Sequence, residues 1–302
     1  MATDQVGFIG LGNMGGRMTK CLVRGGVDVL GYDVNPDVVT EAGARLAGSA
    51  GAVARDCDVV LLSLPDSRVI EPVVLGPGGI LEGAREGQVV VDLSTASPPS
   101  TRRIHGLLAE RGAAYLDAGI SGGAAAADVG KLTLMVGGDA QVLERVRPVL
   151  DLFSSNVFHV GGSGAGHTTK LLNNFLNAVS LAATSEVMVA AKKSGLDLAV
   201  ALDVFNKSSG VNFATMNRFP KIISGDYLKG GLTNTLMMKD VVLYTELASE
   251  LGVASLNAAG PLASFGLAKA LGYADDISNT VVDAIGDVSG GVRLYEEGEG
   301  AR

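Results

Sequence analysis

The stretch Val6-Gly7-Phe8-Ile9-Gly10-Leu11-Gly12-Asn13-Met14-Gly15 constrains this chain more than any other, because an apolar run leads directly into G-x-G-x-x-G. A helical pattern follows over 17–24, and a second apolar run over 27–32 ends in Asp33. Strand, glycine turn, helix, strand and terminal acid is the order of a βαβ unit that cradles a dinucleotide. Gly10 permits the tight turn, Gly12 lets a pyrophosphate approach the backbone, and Gly15 lets the helix pack against the strand. The N–H groups at the helix start, over Leu11, Asn13 and Met14, face the phosphates. Asp33, about 20 residues past the glycines, accepts both ribose hydroxyls of NAD and repels the extra phosphate of NADP. A lone G-x-G-x-x-G means little in a chain with 42 glycines; the flanking strand, helix and acid give it weight. The expected cofactor is NAD rather than NADP.

The alternation continues downstream. Residues 36–47 read as a helix, while 58–64 and 88–92 are continuous apolar runs of the kind buried on both faces. Runs at 114–118 and 132–139 are two further strands. Strands alternating with helices imply a doubly wound, mostly parallel sheet, with ligands beyond the carboxyl ends of the strands. Pro65, Thr95 and Ser121 fall just past three such ends and are expected to line one crevice. The pattern changes after Gly161-Gly162-Ser163-Gly164-Ala165-Gly166. Residues 167–194 read as one long helix stopped by Gly195. Beyond it lie only helical patterns, at 198–207, 215–224, 232–251, 257–272 and 277–288, and an acidic, glycine-rich tail over 296–300 expected to fray. The fold class is α/β: an N-terminal doubly wound Rossmann domain over 1–162, a bridging helix over 163–194, and an all-α domain over 195–302 for substrate binding and oligomerisation.

Composition bounds the class. A chain of 302 residues, 47% hydrophobic and 19% charged, is long enough for two packed domains. A net charge of −8 argues against a nucleic-acid surface. Polar residues interrupt every apolar run before membrane-spanning length, and Met1-Ala2-Thr3-Asp4-Gln5 lacks the basic and apolar regions of a secretory signal. Cys21 and Cys57 form neither a disulfide framework nor a zinc site, and His105, His159 and His167 have no ligand spacing, so no metal is expected. These features imply a cytoplasmic protein with no nucleic-acid or membrane partner.

The chemistry gathers at the start of the long helix. Lys170, Asn174 and Asn177 share one helical stripe, with Asn173 beside it, among Leu171, Leu172, Phe175 and Leu176. A polar stripe on an apolar helix is costly unless it is satisfied, which calls for a reason beyond solubility.

Several segments together resemble the β-hydroxyacid dehydrogenase family, whose members include 3-hydroxyisobutyrate dehydrogenase and tartronate semialdehyde reductase. Gly10 to Gly15 resembles its cofactor motif, Asp92-Leu93-Ser94-Thr95 with Pro98 its D-x-S-T segment, and Asp117-Ala118-Gly119-Ile120-Ser121-Gly122-Gly123 its D-A-P-V-S-G-G segment. Gly164-Ala165-Gly166 with Lys170, Asn173 and Asn174 resembles G-x-G-x-x-x-K-x-x-N-N, and Lys239-Asp240 a late K-D pair. The likeness runs from Gly7 to about Gly290. It implies that Lys170 is the general acid/base, that Ser121, Gly122 and Gly123 hold a substrate carboxylate, and that Asn174 donates to the carboxylate or the reacting oxygen. It further implies that Thr95 lies beside the nicotinamide, that Leu64 and Pro65 flank the adenosine side, and that Lys239 reaches the cofactor. The expected reaction interconverts a small 3-hydroxy acid and its semialdehyde, in a homodimer or homotetramer.

Three departures bear on substrate. Gly119 replaces the family proline, read as loosening a turn; Leu232 replaces a phenylalanine; and Asn212 offers extra hydrogen bonding where relatives select substrate. They imply an acid larger or more polar than 3-hydroxyisobutyrate, such as 2-(hydroxymethyl)glutarate, glycerate, threonate or a hydroxysulfonate. A non-catalytic NAD-binding sensor is the reading from another class. Imine reductases share the architecture but carry Asp or Tyr where Lys170 stands.

Overall fold

Eight strands form one sheet in the order β3-β2-β1-β4-β5-β6-β7-β8. They are β1 (Val6–Ile9), β2 (Val29–Tyr32), β3 (Arg45–Leu46), β4 (Val59–Leu62), β5 (Val89–Asp92), β6 (Ala114–Ser121), β7 (Leu132–Gly137) and β8 (Ser154–Gly161). This computed structural model describes residues 5–228 and 231–295; the tail over 296–300 and the residues Met1 to Asp4 lie outside them. Every pairing is parallel except β6 with β7. Helices cover both faces, so β4 and β5 are buried throughout. Phe8, Leu61 and Val91 point into one core, and Ile9, Val60, Leu62 and Val90 into the other. Each such side chain contributes about 1.5–3 kcal/mol on burial, which is why these strands read as unbroken apolar runs.

The sheet aligns its own carboxyl ends. Ile9 stands opposite both Tyr32 and Leu62, Leu62 opposite Asp92, and Asp92 opposite Asp117. β1 lies between β2 and β4, where the strand order reverses, the position at which such sheets bind ligands.

Two elements of the sheet region differ from the sequence expectation. The helix expected over 36–47 is only Pro36–Glu41; Gly43, at φ +81°, turns the chain so that Arg45 and Leu46 pair with Leu30 and Gly31. β8 is an additional edge strand whose Asn156, Phe158 and His159 are exposed, so it has neither an apolar run nor clean alternation.

Contacts divide the chain into two compact units, the first ending at Lys170 and the second beginning at Leu171, inside the single helix Ala165–Lys193. The second unit is helical around Phe175, Phe219, Met237 and Phe265. The helix expected over 215–224 is two, Phe213–Asn217 and Phe219–Ile222, broken at Arg218 because Pro220 has no N–H to continue the first ladder. Leu232 packs against the same core. Among the described residues no helix is long and apolar enough to cross a membrane.

Candidate active site

The first turn leaves little choice of residue. Gly10 has φ +83°, and a Cβ there would lie 2.4 Å from Ser63 O; one on Gly15 would lie 1.9 Å from Gly10 O. A Cβ on Gly12 would meet nothing within 4 Å, so this residue borders open space. Gly12 is also the N-cap of helix Asn13–Arg24, and no side chain caps that end. The first-turn N–H groups are thereby left for an anion. Asp33, immediately after β2, accepts from the backbone N–H of Leu11 at 2.7 Å and of Asn35 at 2.9 Å, which ties the acid to the glycine turn. Leu64 crowds the same turn: its Cδ2 would be 2.7 Å from a Cβ on Gly10. Open backbone at Gly12, an uncapped helix start and a carboxylate at the end of β2 together fit a dinucleotide.

The loop after β5 is built by its own side chains. Asp92 is fully buried; it accepts from Ser94 N–H at 3.0 Å and from the Tyr115 hydroxyl at 2.7 Å. Burial, with the Asp92 carboxylate alongside, holds the Tyr115 phenol well above its usual range. Ser94 Oγ accepts from Leu64 N–H at 2.9 Å and joins this loop to the one after β4. Thr95 is half-buried between them; it does not cap the helix Pro98–Ala109, whose N-cap is Ser97. Pro65 is exposed at the end of its loop.

Asp117, in register with Asp92, has a role that the sequence reading did not assign. Its carboxylate accepts from the backbone N–H of Gly164 at 2.8 Å and of His167 at 2.8 Å, anchoring the start of the long helix to β6. An acid recurring one motif before a helix start was the available signal, since carboxylates favour helix N-termini. His167 is buried with Nδ1 2.7 Å from Thr101 Oγ1.

Gly119 lies inside β6 opposite Met135, not in a turn, which corrects the expectation of a loosened turn. A Cβ there would lie 2.5 Å from Lys170 Cβ and 3.0 Å from Lys170 Cγ. The missing side chain is what admits the lysine stem. Two residues on, β6 ends at half-buried Ser121, followed by exposed Gly122 (φ +122°) and Gly123 (φ +67°), conformations that glycine takes without strain. Lys170, Gly119 and the Ser121 turn therefore share one end of the sheet with Thr95, Leu64, Asp33 and the glycine turn.

In the second unit Asn174 is buried, and its Nδ2 donates to Asp240 Oδ2 at 2.5 Å. Lys239 Nζ lies 3.1 Å from Asp240 Oδ1. Asp240 is thus the organiser of this group, although only its neighbour was singled out from the sequence. Asn174 stands one helical turn after Lys170. Asn212 is elsewhere: it is the N-cap of Phe213–Asn217 in a capping box, accepting from Ala214 and Thr215 N–H and donating to Thr184 Oγ1 at 3.2 Å. Thr184 follows Asn174 by about 15 Å along the helix at 1.5 Å per residue. Its amide thus serves the short helix and Thr184, the local role the structure gives to a residue expected to contact substrate.

Known proteins resemble this chain over most of its length. Residues 5–161 match the family described as the NAD binding domain of 6-phosphogluconate dehydrogenase, and residues 164–283 the one described as NAD-binding of NADP-dependent 3-hydroxyisobutyrate dehydrogenase. A 2-(hydroxymethyl)glutarate dehydrogenase of Eubacterium barkeri is 38% identical over 82% of this chain and 83% of its own length. An NAD-dependent L-serine dehydrogenase of Pseudomonas aeruginosa is 40% identical over 81% of this chain and 85% of its own. The structure of Mycobacterium tuberculosis 3-hydroxyisobutyrate dehydrogenase with L-serine superposes with a TM-score of 0.85 at 30% identity, covering 94% of this chain and 99% of that one.

Proposed function

Because the chain belongs to the β-hydroxyacid dehydrogenase family and is an NAD(P)-binding hydroxy acid dehydrogenase, we propose that Lys170 is its general acid/base and that a 3-hydroxy acid binds at the Ser121 turn. The observation that carries this reading is the lysine stem lying against Gly119, two residues before Ser121. Gly10 to Gly15 with Asp33, Leu64, Pro65 and Thr95 are the residues that hold the dinucleotide, and Lys239 joins them on the strength of the family motif. When bound, the nicotinamide supplies the hydride acceptor or donor. The lysine amine takes the proton from the substrate hydroxyl during oxidation and returns it to the alkoxide oxygen during reduction. Ser121 Oγ and the N–H groups of Gly122 and Gly123 receive the carboxylate, since backbone without Cβ admits an anion closely. Asp240 orients the Asn174 amide, leaving its second Nδ2 hydrogen for substrate. A cytoplasmic homodimer or homotetramer completes the reading.

Initial rates with NAD and with NADP against 3-hydroxyisobutyrate, 3-hydroxypropionate, glycerate, serine, threonate, 2-(hydroxymethyl)glutarate and a hydroxysulfonate test it. The expected result is turnover with NAD and a preference for an acid larger or more polar than 3-hydroxyisobutyrate. Clear preference for 3-hydroxyisobutyrate overturns the substrate reading, and NADH binding without turnover of any acid favours a sensor.

Two substitutions test single residues. Asp33→Ser removes the ribose acceptor and its repulsion of a 2′-phosphate, so the ratio of kcat/KM for NAD over NADP falls by about 10²-fold, the scale of two charge-assisted hydrogen bonds. An unchanged ratio removes Asp33 from the cofactor set. Asp240→Asn frees the Asn174 amide to turn and removes the carboxylate beside Lys239, and kcat falls by about 10–10², as expected for misorientation of a group near the reacting carbon, with any change in the KM for NAD reporting on Lys239. Steady-state kinetics in both substrates separate the two parameters.

A further inference from the structure

His167 is fully buried in the first unit, and the chemistry proposed above leaves its ring unused. Nδ1 lies 2.7 Å from Thr101 Oγ1, while Nε2 is buried with no hydrogen-bond partner and lies 4.0 Å from Asp92 Oδ2. Thr101 and Asp92 are buried as well, as is Tyr115, whose hydroxyl donates to the same Oδ2 at 2.7 Å. A buried ring nitrogen left unpaired carries the full cost of its desolvation, so its surroundings constrain where the proton sits.

Thr101 has one hydroxyl hydrogen, and Oγ1 faces both Ser97 O at 3.1 Å and His167 Nδ1. If that hydrogen goes to Ser97 O, Nδ1 carries the ring proton. A neutral ring then turns the bare lone pair of Nε2 toward the Asp92 carboxylate. If the hydroxyl instead donates to Nδ1, the ring proton sits on Nε2 and faces that carboxylate. Ser97 O stays satisfied in this second arrangement, because it already accepts from Thr101 N–H at 3.0 Å. The first arrangement sets a buried acceptor against an anion; the second pairs Ser97 O and Nδ1 and gives the anion a donor.

The contact links two parts of the proposed site. His167 stands one turn before Lys170, on the helix whose first N–H groups Asp117 holds. Asp92 ends β5 and accepts from the N–H of Ser94, the residue before Thr95, while Ser94 Oγ accepts from Leu64 N–H. His167 and Asp92 therefore join the helix of the lysine to the loops assigned to the dinucleotide. Asp117 pins the backbone at the helix start, but a helix can still turn about its axis. A turn of roughly 25° moves a Cα at a radius of about 2.3 Å by about 1 Å. A ring proton drawn to a buried carboxylate resists that turn.

We propose that His167 Nε2 carries a proton toward Asp92, and that this contact makes His167 a positioning residue that sets Lys170 against the Thr95 loop. The inference rests on the reading of Lys170 as general acid/base. At 4.0 Å the contact is a charge–dipole attraction rather than a hydrogen bond. It acts on the geometry between the group that moves the proton and the loop beside the hydride site.

Long-range proton–nitrogen NMR of the histidine-labelled, NADH-loaded enzyme reads the proton directly. The chain has three histidines, and the signals of His167 are those lost in His167→Gln. A proton on Nε2 is expected; a bare Nε2 overturns the proposal. Kinetics test the consequence. The amide nitrogen of glutamine reaches the place of Nε2 and keeps a donor for Asp92, whereas asparagine reaches only the place of Nδ1 and keeps Thr101 alone. His167→Asn is expected to lower kcat by about 10–10²-fold with the KM for NAD unchanged, the cost of misplacing a reacting group by about 1 Å. His167→Gln stays within about threefold of wild type. Equal kcat values in the two variants overturn the positioning role, and the wild-type spectrum keeps the proposal refutable should either variant fail to fold. The two failures are separable. Wild-type turnover in Lys170→Ala refutes the lysine reading, whereas a bare Nε2 beside an inactive Lys170→Ala refutes only the His167 contact.

Discussion

Lys170→Ala is expected to lower turnover by about 10³-fold while the protein folds, melts near the wild-type temperature and binds NADH as before. The magnitude is that of losing general acid/base catalysis, about 10²–10⁴-fold. Folding survives because Lys170 is half-buried on the first third of a helix whose anchor is Asp117, with its bonds to Gly164 and His167 N–H, and not the lysine. Alanine is also the best helix former at such a position. The informative measurement is single-turnover NADH formation in the variant over a range of pH. A wild-type rate removes Lys170 from the mechanism, and a loss of NADH binding would assign it to the cofactor instead.

Gly119→Ala is expected to cost about 10²-fold in kcat although it adds one methyl group. Its Cβ would stand 2.5 Å from Lys170 Cβ, where ordinary contact begins at 3.4 Å, and 3.2 Å from Gly166 O. The lysine stem must retreat by about 1 Å, a displacement that lowers rates by about two orders of magnitude when it misplaces a reacting group. The helix cannot easily yield in its place. A Cβ on Gly166 would already lie 2.2 Å from Asp117 O, so the helix start is in close contact with β6. The effect should fall on kcat for the hydroxy acid and spare the KM for NAD, because the glycine turn and Asp33 lie on β1 and β2. Equal kinetics in Gly119→Ala and wild type would show that Lys170 reaches its working position without this close approach.

Much of the dinucleotide-binding unit was legible because its physics is local. A glycine turn between an apolar run and a helix, with an acid at the end of the next run, has one geometry, and Gly10, Gly12, Gly15 and Asp33 take it. The strands of β4 and β5 were legible because burial on both faces makes Val59 to Leu62 and Val89 to Val91 unbroken apolar runs, with buried Asp92 only at the carboxyl end. β3 and β8 were not, since one has only two residues and the other faces outward along most of its length.

Side-chain partnerships were the opaque part. Asn212 carries the same amide as Asn174, yet one caps a short helix and the other is held by a buried carboxylate. No spacing rule separates them, because each partner comes from a distant part of the chain. Arg218 resembles any helix arginine in the sequence; only packing surrounds it with Asn177, Ser278 and Asn279.

Periodicity and glycine placement act over a few residues, so the class of fold, the dinucleotide turn and the polar stripe of the long helix were already written in the amino-acid order. Only packing made Gly119 a gap for a lysine, tied Asp117 to the start of the long helix, set Asp240 against Asn174 and surrounded Arg218 with Asn177, Ser278 and Asn279. These depend on distances between segments dozens of residues apart, which the long-range packing of the chain sets and no local pattern encodes.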